Sequence, residues 1–235
     1  MNRRRRLEGA PFFLPLVTII AISGVLPLFS GVYHSLFESS PGGAEWIGLT
    51  GYAALAADRA LLYAFNVSTL WALSSAIVTL VWAIPFAALL YRRPRLVPLA
   101  MMFLAALWIV PVFIAAPVWR MFFHGNNGDS LFSLLAGFEV NFMVDPVGSF
   151  LFVIFARVIH GLPPVVVVLF AGLKKTPKPL VDVAVMEGAD EWQLFRYVHL
   201  PHLRPFLFLL LVVTLIGGFQ GFTIPFLMTA GGPPL

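Results

Sequence analysis

Cysteine is absent from the 235 residues of this chain. That removes a disulfide framework, a thiolate metal site and a cysteine nucleophile together. Charge is scarce too. Only 11% of the residues are Asp, Glu, Lys or Arg, against about 25% in soluble domains, so a water-facing surface of ordinary composition cannot be built from them. No G-x-x-x-x-G-K-[ST] run occurs, which excludes a phosphate loop and an ATP-hydrolysing motor within this chain. No low-complexity linker or internal repeat divides the sequence, so it reads as one domain over residues 1–235.

What is present is apolar. Hydrophobic residues make up 60% of the chain and the mean hydropathy is +0.91. A soluble fold would have to leave much of that surface against water; lipid is the solvent that removes the difficulty. A membrane span needs about 20 mostly apolar residues, at about 1.5 Å each across about 30 Å of hydrocarbon. Five segments qualify, at about residues 11–33, 62–91, 96–123, 147–173 and 205–228. None shows the short alternation with turn signals that a barrel requires. The expected fold is therefore an all-α polytopic transmembrane helical bundle. Pro15, Pro27, Pro85, Pro111, Pro117, Pro163, Pro164 and Pro225 fall inside these runs, and a bundle tolerates them because neighbouring helices re-satisfy the freed carbonyls.

The basic residues orient the bundle. With the N-terminus in the cytoplasm, that side receives Arg3 to Arg6, Arg92, Arg93, Arg95, Lys174, Lys175, Lys178, Arg196 and Arg204, twelve of the fifteen. The outer side receives Arg59 and Arg120, and Arg157 lies within a span. This distribution accounts for the net charge of +4 and pI near 9.8 without nucleic acid as a partner. The first apolar run is too long for a signal peptide and lacks a small-residue cleavage site, so it reads as a retained span. The outer connections, about residues 34–61 and 124–146, are short and hold no soluble domain.

The connection 174–204 is the longest on the cytoplasmic side. Leu180, Val181, Ala184 and Val185 recur at helical spacing after Pro177 and Pro179, which suit a helix start. Gly188 interrupts as a helix-ending glycine does. Asp190, with Gln193 three residues on, opens a second helix that presents Trp192, Phe195 and Val198, and Leu200-Pro201 is expected to end it. Two short amphipathic helices joined at Gly188 either fold back on the bundle's rim or offer a docking knob.

Within this stretch Asp182-Val183-Ala184, three residues, Gly188, nine residues and Val198-His199-Leu200-Pro201 resemble the EAA loop of ABC-importer permeases. That pattern is E-A-A, three residues, G, nine residues, I-x-L-P. Every anchor matches in spacing; Asp182 replaces Glu and Val183 replaces Ala. Gly48-Leu49-Thr50-Gly51-Tyr52, Phe170 to Leu173, and Phe222-Thr223-Ile224 through Thr229-Ala230-Gly231-Gly232-Pro233 are similar to further elements of the carbohydrate-uptake branch, the maltose and glycerol-3-phosphate type. Thr223 stands where the branch has an acidic residue.

The resemblance implies a permease subunit in the cell membrane, forming the path for a sugar or related polar solute. It is not an enzyme and needs no cofactor or metal. The implied partners are a second permease in a heterodimer, two ABC ATPase subunits and an extracytoplasmic substrate-binding protein. The ATPase-coupling residues would be Asp182, Val183, Ala184, Gly188, Ala189, Val198, Leu200 and Pro201. Family members continue past the G-G-P element into another span, so a chain stopping at Leu235 is expected to be C-terminally truncated, with five spans present and a sixth missing.

The substrate-path candidates come from the residues themselves. Arg157 and His160 share a helix face near the middle of a span, where Arg costs roughly 2.5–3.5 kcal/mol on insertion scales and should face the interior or water. They either line the path or form a structural pair with a partner subunit. Gln220, between Phe219 and Phe222, either bonds a sugar hydroxyl while the aromatics stack on the ring or makes an interhelical hydrogen bond. His199 and His202, beside Pro201, read as solvated loop residues. The alternative functions are a permease for another solute class in the same family and an ion-gradient-driven secondary transporter. The second predicts intramembrane carboxylates, and every Asp and Glu here lies outside the five runs.

Overall fold

The computed structural model describes residues 10–40, 43–123, 130–137 and 146–230. Arg3 to Arg6 and Gly231-Gly232-Pro233 lie outside the described residues. The chain separates into two units, 1–64 and 65–235.

In the first unit α1 (Ala10–Ile20), a π-turn (Ala21–Val25) and α2 (Leu26–His34) form one candidate membrane span, Phe13–His34. Apolar residues on every side of it are exposed, among them Phe13, Leu14, Val17, Leu28 and Phe29. A helix apolar all round suits lipid or protein on each face. Beyond it lies a hairpin, β1 (Phe37–Ser40) with β2 (Gly43–Trp46), in the register Phe37 opposite Trp46. Those two rings meet edge to face at 5.0 Å. The connection then forms α3 (Thr50–Ala57). Gly48 takes a φ of +58° before it, and the Tyr52 hydroxyl reaches Ser35 Oγ at 2.5 Å, so the Gly-Leu-x-x-Tyr element ties α3 to the end of α2.

Helix α4 (Arg59–Arg92) crosses into the second unit. There Ala72, Ser75, Ala76, Thr79, Ala83 and Ala87 are buried, a stripe of small residues at steps of three and four. Lipid gives helices no hydrophobic reason to associate, so close contact across small side chains supplies the attraction. Helix α8 (Pro146–Lys174) contributes to both apolar clusters of the unit and is the most buried of the four unbroken spans. One cluster joins Ala83, Ala87 and Leu90 of α4 to Leu104, to Val166, Leu169 and Leu173 of α8, and to Leu203 and Leu210. A second joins Trp71 and Ala116 to Phe152, Val153 and Ala156 of α8 and to Ile224 and Met228.

Two of the expected spans are not simple helices. The third is a pair, α5 (Val97–Ile109) and α6 (Val112–Phe123), bent by 96°. Val110 is extended, as the residue before a proline prefers, and Pro111 makes the break. After α7 (Leu131–Ala136) and α8, the fifth span also departs from its expected limits. It runs continuously from Glu191 to Phe219, through α10 (Glu191–Leu194), a π-turn (Phe195–His199) and α11 (Leu200–Phe219). It stops before Gln220-Gly221-Phe222, and a separate short helix, α12 (Thr223–Thr229), follows and packs on α6 and α8.

Leu200-Pro201 therefore does not end the second loop helix, contrary to expectation. Both π-turns stand just ahead of a proline, Pro27 in one case and Pro201 in the other. The Leu26 and Leu200 N–H groups reach back to the Ala21 and Phe195 carbonyls. A proline ring clashes with the carbonyl four residues earlier, and a turn widened by one residue carries the helix past that clash.

Helices α4 and α11 approach backbone to backbone at Gly218. A methyl group at Gly218 would lie 2.8 Å from the Ala72 Cα and 3.0 Å from its Cβ. Trp71 Nε1 donates to the Gly218 carbonyl at 3.1 Å. Because backbone cannot yield, Gly218→Ala is expected to cost about 1–3 kcal/mol as an overpacked contact. Gly31→Ala, where no atom stands within 4 Å, should be neutral or mildly stabilising. Unfolding of the purified variants in mixed micelles measures both, and equal effects would contradict the seam.

Candidate functional site

The segment after α8 starts from a proline-set turn. Pro177 is extended at the N-cap and Pro179 sits in the first turn of α9 (Lys178–Met186). Gly188 ends that helix at a φ of +84°. The Gly188 N–H donates to the Val185 carbonyl and the Ala189 N–H to the Ala184 carbonyl, both at 3.0 Å. This is the paired closure of a Schellman turn, which favours glycine at the left-handed position. Asp190 then caps α10 in both directions. Its carboxylate accepts the Gln193 N–H at 2.7 Å, and its own N–H donates to Gln193 Oε1 at 2.9 Å.

The two ends of the segment have different surroundings. Arg92, the last residue of α4, donates to Glu191 Oε2 at 2.7 Å and to the Glu191 carbonyl at 2.9 Å. His199 Nδ1 lies 3.1 Å from Thr176 Oγ1, and its ring meets Tyr91 edge to face at 5.0 Å. His199 is thus buried, not solvated as its place beside Pro201 suggests; continuity of the helix turns it inward. A cleft of about 80 Å³ between Tyr91, Arg92, Leu173, Glu191, Phe195 and His199 marks this junction. The tip of the segment is open instead. Met186 is 85% exposed and Trp192 67%, with Leu180, Val183 and Val185 also exposed.

The sequence-derived coupling residues divide accordingly. Asp182, Val183 and Gly188 are exposed at the tip, with Ala184 and Ala189 half-buried beneath them. Val198 and Leu200, half-buried, and Pro201, exposed, belong to the helix that leads into the span. The first five are gathered around the turn; the last three are not.

Deep in the bundle, Arg157 and His160 are half-buried on α8. A methyl group at Gly161 would sit 3.1 Å from Arg157 Nη1, and one at Gly217 would sit 3.0 Å from Nη2. The guanidinium therefore occupies a notch between α8 and α11 that exists because two residues lack a Cβ. Thr79 Oγ1 lies 4.0 Å from the same Gly161 position. Pro163 and Pro164 cannot donate to the carbonyls of Ile159 and His160, four residues back, so two more acceptors gather at this depth. Phe219, Gln220 and Phe222 are exposed at the break after α11, where Phe222 stacks on Phe226 at 4.9 Å. Gly161, Gly217 and Gly218 are further residues of this region, and the adjacent glycines of an apolar helix are the sequence signal for the last two.

The model of the family described as "Binding-protein-dependent transport system inner membrane component" matches residues 79–234. The trehalose/maltose transport system permease protein MalF of Thermococcus litoralis is 26% identical over 237 residues, covering 99% of this chain and 80% of that protein. The arabinooligosaccharides transport system permease protein AraP of Bacillus subtilis is 28% identical, covering 97% and 74%. In structure, the chain is similar to a bacterial alginate ABC transporter crystallised with an alginate pentasaccharide-bound periplasmic protein. The TM-score is 0.76 at 16% identity, covering 96% of this chain and 81% of that one; that likeness concerns the fold. The family match takes in α8, the Gly188 turn and α11 together, and the chain belongs to the inner membrane components of binding-protein-dependent transport systems.

Proposed function

We propose that this chain is a permease subunit of an ATP-driven importer for a saccharide or related polar solute, oriented with its N-terminus in the cytoplasm. We assign the Gly188 turn as its contact with an ATPase. The observation that carries this reading is the contrast within one segment. Its flanks are tied to α4 and to the end of α8, while an apolar tip around a left-handed glycine stands exposed. A rigid mount under an uncovered apolar knob suits a partner that must both hold the subunit and push it. The saccharide class is supported by the relatives, whose names specify trehalose/maltose and arabinooligosaccharides. The partners in this reading are a second permease, two ATPase subunits and an extracytoplasmic binding protein.

The geometry offers a route for the work. An ATPase closing on Met186 and Trp192 moves α9 and α10 as one body, because the Schellman turn and the capping box fix the angle between them. Helix α10 continues without interruption to Phe219, so displacement of the tip reaches the other end of the span. Arg92 and Thr176 hold the near end and act as the fulcrum. Gln220 and its flanking aromatics stand where α11 stops, at the far end of that lever, and in this reading they border the solute path.

Gly188→Val places a β-branched residue at a φ of +84°, a strained conformation worth about 1–3 kcal/mol. It is expected to weaken co-purification of the ATPase or to uncouple hydrolysis from uptake while insertion proceeds. Asp182→Ala should act in the same direction more weakly, since one exposed carboxylate is lost and the turn remains. Normal assembly and coupled uptake by Gly188→Val would assign the tip another role.

Orientation is checked independently in this cysteine-free chain. Lys175→Cys is expected to label from the cytoplasm and Glu45→Cys from the outside, using a membrane-impermeant maleimide. Labelling of both from one side would refute the topology.

A further inference from the structure

We infer that Arg157 forms a site for an acidic group on the transported solute, a carboxylate or sulfonate of a charged saccharide; this rests on the permease reading above and narrows its substrate class. An arginine near the middle of a span is costly unless it faces a polar interior or a counter-charge. Among the described residues no carboxylate is paired with it: the Asp and Glu residues lie outside the five apolar runs, and Glu191, at the head of the fifth span, is paired with Arg92 at the rim. Among the described residues the guanidinium has no ion-pair or hydrogen-bond partner. None of the described residues supplies a counter-charge, and in this proposal the solute brings it.

The notch points to a small ligand. Each terminal nitrogen rests against a glycine, Nη1 on Gly161 of α8 and Nη2 on Gly217 of α11, so no side chain of those two residues covers the planar fork. That fork matches the two oxygens of a carboxylate or sulfonate, a geometry that neither lysine nor an amide reproduces. Hydroxyl-compatible groups follow along α8: His160 one turn on, and the Ile159 and His160 carbonyls left without their proline donors. Gln220 follows Gly217 by three residues and is exposed where α11 breaks. A cation flanked by neutral donors and acceptors is the arrangement a charged sugar ring requires. The guanidinium stands between two helices of one chain, which favours a diffusible solute over a carboxylate carried by a partner subunit.

The test uses the assembled complex of both permeases and their ATPases in nanodiscs, with a mannuronate tetrasaccharide and neutral mannotetraose as probes in equilibrium dialysis. The wild type should bind the acidic probe at least about tenfold more tightly than the neutral one, the effect of one charge-assisted contact. Arg157→Gln should abolish that preference and leave mannotetraose binding within about twofold. Arg157→Lys should keep part of the preference. No preference in the wild type, or one that survives Arg157→Gln, overturns the inference. So does an Arg157→Gln subunit that no longer assembles with the second permease while Arg157→Lys does, since the arginine then pairs with that subunit. Each of these failures leaves the Gly188 coupling experiment standing, because that experiment reads ATPase attachment and hydrolysis.

Discussion

The contact between Ala72 and Gly218 is the constraint on which the second unit depends. In a bilayer the expulsion of water does not hold helices together, so attraction rises only as backbones come close. On α4 the small residues from Ala72 to Ala87 provide that closeness along about four turns. At one end Gly218 removes the last obstacle, and Trp71 adds a hydrogen bond to its carbonyl. With α4 and α11 set against each other and α8 contributing to both clusters, the place of the Arg157 guanidinium against Gly161 and Gly217 is decided.

Irregular helix geometry is where the chain departs from a plain bundle, and each irregularity has a local cause. Pro111 breaks a span because Val110 ahead of it adopts an extended conformation. Pro27 and Pro201 do not break theirs, because a π-turn precedes each. Pro163 and Pro164 stay within α8 and leave acceptors in its middle. The same residue type thus makes a bend, a widened turn or a polar spot according to its neighbours. The consequence for function is mechanical: a 29-residue helix from Glu191 to Phe219 joins the Gly188 turn to the far end of the fifth span without a joint between them.

Polar groups are few, and their positions follow from their cost. Arg92 and Glu191 meet at the rim, where both side chains keep substantial contact with solvent, so the pair guides more than it stabilises. His199 is buried beside Tyr91 and Thr176, where it ties the segment to two helices. Arg157 stands apart, in a span and beside glycine. Rim polar groups tie the Gly188 segment to the ends of α4 and α8, whereas Arg157 stands against glycine within the bundle.

Composition and local pattern by themselves determined that this is a helical membrane protein, roughly where its spans run, and that a glycine turn follows α9. Those properties depend on hydropathy over about 20 residues or on a few neighbouring side chains, and both are written in order along the chain. The Schellman turn at Gly188 and the capping box at Asp190 were legible for the same reason. Tertiary structure alone decided that Pro201 lies inside a continuous helix, that His199 is buried, that Arg92 reaches Glu191, and that Gly161 and Gly217 flank Arg157. Each of these joins residues far apart in the chain or depends on which of two backbone solutions a proline takes. That choice is made by the packing of neighbouring helices, which no local window of sequence contains.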